Sequence, residues 1–314
     1  MKRIFKFISK LIISLVCIVL GAAILVVGGL NIAKFGIYAD YYSVKTDICK
    51  NPGLGDGFIC QGICAVDTED KILVSGYMND DSASRIYVTD TDNNSYYVSL
   101  TSGGEAFTGH AGGIASQGDK IYVASNKKIH VISLDTVLGA KNGDTVSFEE
   151  SIPTSTSASF IYADENYVYV GEFHNGKNYI TEHKYTTPEG ENSAIVCRYQ
   201  KDDLTQPDKI YSIRDEVQGI CFTPDGKVVL STSYGLADSF YYVYNESDAI
   251  KSEYTLDGAP VYYLNNCIKE IKGPAMAEGL EYYDGKVITL TESASNKYIF
   301  GKLFFAYYIV GLEI

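Results

Sequence analysis

Val217 to Tyr244 reads V-Q-G-I-C-F-T-P-D-G-K-V-V-L-S-T-S-Y-G-L-A-D-S-F-Y-Y-V-Y. An apolar run is followed by a Pro224-Asp225-Gly226 turn, a β-branched run, a loop of small residues and an alternating aromatic run. Pro presets the turn and Gly supplies positive φ, so the stretch predicts three short strands joined by tight turns. The same register returns four more times along the chain. Gln61-Gly62-Ile63-Cys64 leads to Lys71-Ile72-Leu73-Val74, and Gly112-Gly113-Ile114-Ala115 leads to Lys120-Ile121-Tyr122-Val123. Ser159-Phe160-Ile161-Tyr162 leads to Tyr167-Val168-Tyr169-Val170, and Glu278-Gly279-Leu280-Glu281 leads to Lys286-Val287-Ile288-Thr289. Successive starts lie roughly 45 to 60 residues apart, the period of propeller blades.

Third strands are predicted at Arg85 to Thr89, Lys128 to Leu134, Ala194 to Tyr199, Phe240 to Tyr244 and Leu303 to Val310. Fourth strands are predicted at Tyr96 to Leu100, Val146 to Ile152, Lys209 to Ile213 and Val261 to Leu264. The last repeat runs out of chain before its fourth strand, and Tyr41 to Thr46 can fill that gap and remove the open edge. The expectation is an all-β, five-bladed propeller over residues 41–314; six blades would need a repeat that is absent from the sequence. The P-D-G-K and D-G-K turns into the second strands resemble those of lactonase-like and YVTN/NHL-like β-propellers.

Composition agrees with many short strands. Of 314 residues 27 are Tyr and 29 Gly, and there is no Trp, which removes the WD-type signature. The formal net charge is -13. Lys2, Arg3, Lys6 and Lys10 precede the first acid, Asp40, so the remainder carries 22 bases against 39 acids. A surface that anionic repels phosphate backbones, which argues against nucleic acid as a partner.

Leu11 to Ile32 is an uncharged stretch that reaches ~33 Å as a helix, enough to cross a bilayer. The predicted organisation is a cytoplasmic basic tail (1–10), a transmembrane signal-anchor helix (11–33), a linker (34–40) and the propeller. The four bases place the amino terminus in the cytoplasm and residue 35 onward outside, with Lys34 weakening the bias. The competing reading is a cleaved signal peptide cut near Gly21-Ala22-Ala23, which would leave Ile24 to Val27 as an exposed apolar start.

Inner strands line a propeller's central channel, so the residues that lead into them share a funnel. Gln61, His110, Gln218 and Glu278 occupy or adjoin that place in four repeats, and Asn126, Glu172 and Glu292 stand at the ends of second strands. Glu278-Gly279-Leu280 resembles the metal-binding E-G-[PL] of gluconolactonase-like and phytase-esterase-like propellers. That resemblance implies a divalent cation, calcium or zinc, polarising an ester or lactone carbonyl. The Asn and Asp ligands of those families have no counterpart here.

Glu172, His174, Glu182 and His183 sit in an insertion, at spacings that match no zinc motif, which favours a solvated loop. Asp90-x-Asp92-x-Asn94 begins like a calcium loop, but Ser95 and Thr101 break the EF-hand pattern, leaving a turn. Among the six cysteines beyond the helix, Cys49 with Cys60 is the only disulfide the sequence suggests; Cys64 and Cys221 read as packing residues. No Cys/His or Ser/His/Asp arrangement, G-x-S-x-G or phosphate loop is legible. These features point first to a membrane-anchored extracytoplasmic module binding a protein or small-molecule ligand, and second to a metal-dependent lactonase or esterase.

Overall fold

The computed structural model describes residues 2–188 and 190–314; Met1 of the basic tail lies outside them. The five repeats fold as antiparallel meanders that form the blades of a β-propeller. Blade one comprises Phe58–Val66, Lys71–Met78, Arg85–Thr89 and Ser95–Ser102. Blade two comprises Gly113–Gln117, Lys120–Ser125, Lys128–Ser133 and Glu150–Pro153, and blade three Phe160–Ala163, Tyr167–Gly171, Ala194–Gln200 and Asp203–Ile213. Blade four comprises Val217–Phe222, Lys227–Thr232, Ser239–Asn245 and Lys269–Gly273. Blade five has Ala277–Tyr283, Lys286–Thr291 and Tyr308–Leu312, completed by Lys45–Lys50 from the start of the chain.

The axis is built on glycine. Gly62, Gly113, Gly219 and Gly279 hold one place in four inner strands, where a Cβ would lie 2.5 Å from the Ile114 nitrogen, 2.5 Å from that of Ile161, 2.8 Å from that of Leu280 and 3.0 Å from that of Ile63. Each clash is with the backbone of the next blade, so neighbouring inner strands close to a distance no side chain permits. Hydroxyls stitch two of these junctions: Ser75 donates to the Ala111 carbonyl at 2.9 Å, and Ser231 to that of Glu278 at 2.7 Å.

The outer strands depart from expectation. Val146 to Ile152 is not one strand: Thr145–Ser147 turns back to pair in parallel with Ser95–Ser102 of blade one, and Glu150–Pro153 completes blade two. Val261 belongs to Ala259–Tyr263, which runs parallel to the last strand of blade three, while Lys269–Gly273 closes blade four. In that closing strand only Ile271 and Gly273 are buried, so it carries almost no apolar signal. Both excursions cover the outer edge of the preceding blade, where unpaired backbone groups would otherwise face solvent.

The ring-closing strand is Lys45–Lys50 rather than 41–46, because Ala39–Val44 is helical. Tyr41 is buried and stacks on Tyr241 at 6.2 Å, filling the space beside Gly273. The expected third strand 303–310 begins only at Tyr308, behind a 3-10 turn over Gly301–Phe304. Helix Lys2–Ile37 extends through much of the expected linker, and it is long and apolar enough to cross a membrane.

The Cys49–Cys60 disulfide does not form; both thiols are free and buried. Cys49 lies in the closing strand of blade five and Cys60 in the inner strand of blade one, where the Cys60 Sγ accepts from Asn51 Nδ2 at 3.1 Å. Asp90 Oδ1 accepts the Asn94 backbone N–H at 2.9 Å, consistent with a capped turn.

Candidate functional site

At the end of the propeller where inner strands begin and second strands finish, here the upper end, the channel opens into a cavity of about 610 Å³. Its floor contains Gln61, Gln218 and Glu278. Each of these sits in a register shift of its inner strand, between Cys60 and Gly62, between Val217 and Gly219, and between Ala277 and Leu280. A bulge adds one unpaired residue and re-aims its side chain. Here it turns the residue before the axial glycine toward the funnel. Blades two and three contribute Gly112 and Ser159 instead, so the floor is polar on one side and small on the other.

The walls come from the ends of the second strands: Tyr77, Asn126, Phe173, Ser233 and Glu292. Gln61 Nε2 donates to Glu292 Oε2 at 3.0 Å, and Gln218 Nε2 lies 3.4 Å from Ser233 Oγ. Lys297 Nζ donates to the Tyr77 hydroxyl at 2.6 Å, and the Tyr77 ring stacks on His110 with centroids 4.4 Å apart and planes 4° from parallel. The Glu278 side chain is 2% exposed and lines the cavity.

Electrostatics single out the two carboxyls. Burial holds the Glu278 carboxyl well above the ordinary range, and the nearby Glu292 charge raises it further. Glu292 is pushed up to about 7 by burial, against the opposing pull of the Tyr298 hydroxyl, the Lys297 charge and the Gln61 amide. Burial, aided by Lys297, lowers His110, which is therefore neutral at pH 7. Two carboxyls placed this way cannot both ionise cheaply.

Six of the seven sequence candidates, Gln61, His110, Asn126, Gln218, Glu278 and Glu292, line the cavity. Glu172 does not: it is buried inside the insertion of blade three, where His183 Nδ1 meets its Oε1 at 2.7 Å, and the pair raises the His183 pKa. That insertion is more than a solvated loop, because Tyr179, Ile180 and Thr181 overhang the cavity. The Asn175 side-chain oxygen holds its tip by accepting the backbone N–H groups of Lys177, Asn178 and Tyr179 at 3.0, 3.0 and 3.1 Å. His174 Nδ1 accepts from the Thr181 N–H at 3.1 Å, and Phe173 meets Tyr179 edge-on at 5.4 Å. Tyr77, Tyr234, Lys297 and Tyr298 also line the cavity, and the sequence reading missed them. Most of the missed residues stand on the loops between second and third strands, and that shared position is the one signal that could have found them.

A catalytic zinc does not fit. Among the described residues no three of His, Cys, Asp and Glu come together in a group that could hold an ion, whereas a catalytic zinc takes three protein ligands.

No family model matches this chain, and no curated protein matches it. It is similar in structure to hydrazine synthase of Kuenenia stuttgartiensis, at 11% identity over 75% of this chain and 56% of that chain, TM-score 0.40. A PQQ-bound aldose sugar dehydrogenase from Streptomyces coelicolor is similar at 12% identity over 79% and 77% of the two chains, TM-score 0.45. The β-xylosidase RS223 is similar at 11% identity over 86% and 94%, TM-score 0.43. The propeller assignment rests on the strand pairing, and these likenesses carry nothing about activity.

Proposed function

We propose that this protein is a single-pass membrane protein, amino terminus cytoplasmic, whose extracytoplasmic propeller binds a small cationic ligand in the upper cavity. Glu278 carries the reading. A carboxyl so deeply buried and beside a second carboxyl is a costly arrangement unless a cation completes it. An ammonium group meets the need: it has donors for both carboxyls, and the surrounding Tyr77, Phe173, Tyr234 and Tyr298 rings favour a cation through their π faces. The cavity is within the ~300–1,000 Å³ range usual for small-molecule sites. The metal-dependent lactonase or esterase reading lacks, among the described residues, the His/Cys/Asp/Glu group a zinc would need, and no other observation favours it.

Thermal shift of the full chain tests the proposal, with ethanolamine and putrescine compared against neutral sugars. Amines should raise the melting temperature of the wild type and leave Glu278→Gln unmoved. Stabilisation by neutral sugars alone, or equal shifts in the variant, would overturn it.

A further inference from the structure

We propose that the upper face of the propeller, with its cavity, rests on the outer surface of the bilayer that the amino-terminal helix crosses, with its apolar loop tips inserted among the lipid headgroups. The inference rests on the membrane-anchor part of the reading above, not on the nature of the ligand.

The helix is held to the propeller at its last turn, and the contacts are at the upper end. Lys34 Nζ sits 4.8 Å from the Phe305 ring, just ahead of the third strand of blade five. The Tyr38 hydroxyl donates to Asp238 Oδ1 at 2.9 Å, just ahead of the third strand of blade four. Lys272, which pairs with Asp238 at 2.6 Å, also lies over the Tyr38 ring. Lys34 to Tyr38 is one helical turn, ~6 Å of rise, so the uncharged segment ends within a turn of the upper loops. These contacts bring that end of the propeller, and not the opposite one, to the bilayer.

The loops beside the helix suit that surface. Ile299 is 78% exposed and Phe300 70%, between Lys297 and Lys302; Leu236 is 53% exposed on the neighbouring loop. Apolar tips flanked by lysines match the lipid interface, where the ring or aliphatic group enters and the ammonium stays with the headgroups.

The absence of Trp makes the test direct. Single-Trp variants of the full chain, Phe300→Trp, Ile299→Trp, Leu236→Trp, Asp225→Trp and Leu20→Trp, are reconstituted into phosphatidylcholine vesicles with and without brominated acyl chains. The three upper-loop tryptophans should emit to the blue and be quenched about two-fold or more by the brominated lipid, while Asp225→Trp stays unquenched. Leu20→Trp reports on the helix itself. If it is quenched and the upper-loop positions are not, the docking proposal is wrong and the anchor stands. If Leu20→Trp is not quenched, the anchor fails and the docking proposal with it. Quenching at Asp225→Trp in place of the upper loops would reverse the orientation.

Discussion

A carboxyl group with almost no water around it keeps its proton, and its pKa rises until another charge relieves it. Glu278, 2% exposed, is in this position and lies well above the ordinary glutamate value of ~4.3, while Glu292, half-buried beside it, is pushed up to about 7. Because both folded-state values are raised, the folded protein holds more protons than the unfolded chain across that window. The associated stability is whole below about pH 4, the unfolded value, and is lost as pH rises through the folded values. Glu278→Gln removes one ionisation and keeps the shape. Its melting temperature should exceed that of the wild type by ~2–6 °C at pH 8, and the difference should close at pH 4. Parallel pH profiles for the two proteins would show that the carboxyl is solvated. The same variant is expected to lose the amine-induced shift, so greater intrinsic stability and loss of binding should appear together.

Glu278 was legible as the residue replacing Gln218 at an equivalent position, and the elements that carry both were legible for a related reason. Inner and second strands are buried on both faces, so Phe58–Val66 is largely apolar, Lys227–Thr232 holds the run Val228-Val229-Leu230, and turn residues bound both. Outer strands are half exposed, and Lys269–Gly273 and Lys45–Lys50 show little pattern, so Val261 and Tyr41 were drawn into their places instead. The cavity rim was least legible because loop residues follow no period; nothing in Tyr179 or Tyr298 as letters places them over Glu278. Within the insertion, Asn175 supplies the order that sequence periodicity does not, by accepting three backbone N–H groups. Asn175→Ala leaves those donors to water, at a cost of about 1–2 kcal/mol for local opening. Trypsin should then cut after Lys177 about ten-fold faster, with little change in the global melting temperature. An unchanged rate would mean that the tip is held by Phe173 and Tyr234 rather than by its turn.

At the scale of the whole molecule, the segment that leads from the helix into the propeller also closes the ring. Lys45–Lys50 pairs with Tyr308–Leu312 and buries Cys49, while Tyr38 and Tyr41 join the largest core cluster, against blade four. Anchor and closure are therefore one element, and docking geometry at the membrane depends on the same contacts as ring integrity. Without the closing strand, Tyr308–Leu312 presents an unpaired edge, and blade five loses a quarter of its sheet. A propeller beginning at Asn51 should melt about 10 °C or more below one beginning at Tyr38 and should aggregate through that edge. Because closure is non-covalent pairing along one edge, a synthetic peptide of residues 38–50 should restore part of the loss when added in trans, as strand addition does elsewhere. A scrambled peptide of the same composition controls for nonspecific binding. Equal stability of the two truncations, measured by calorimetry at matched concentration, would show that the ring closes through blade-to-blade packing alone. The Tyr38 contacts to Asp238 and Lys272 would then serve only to orient the helix.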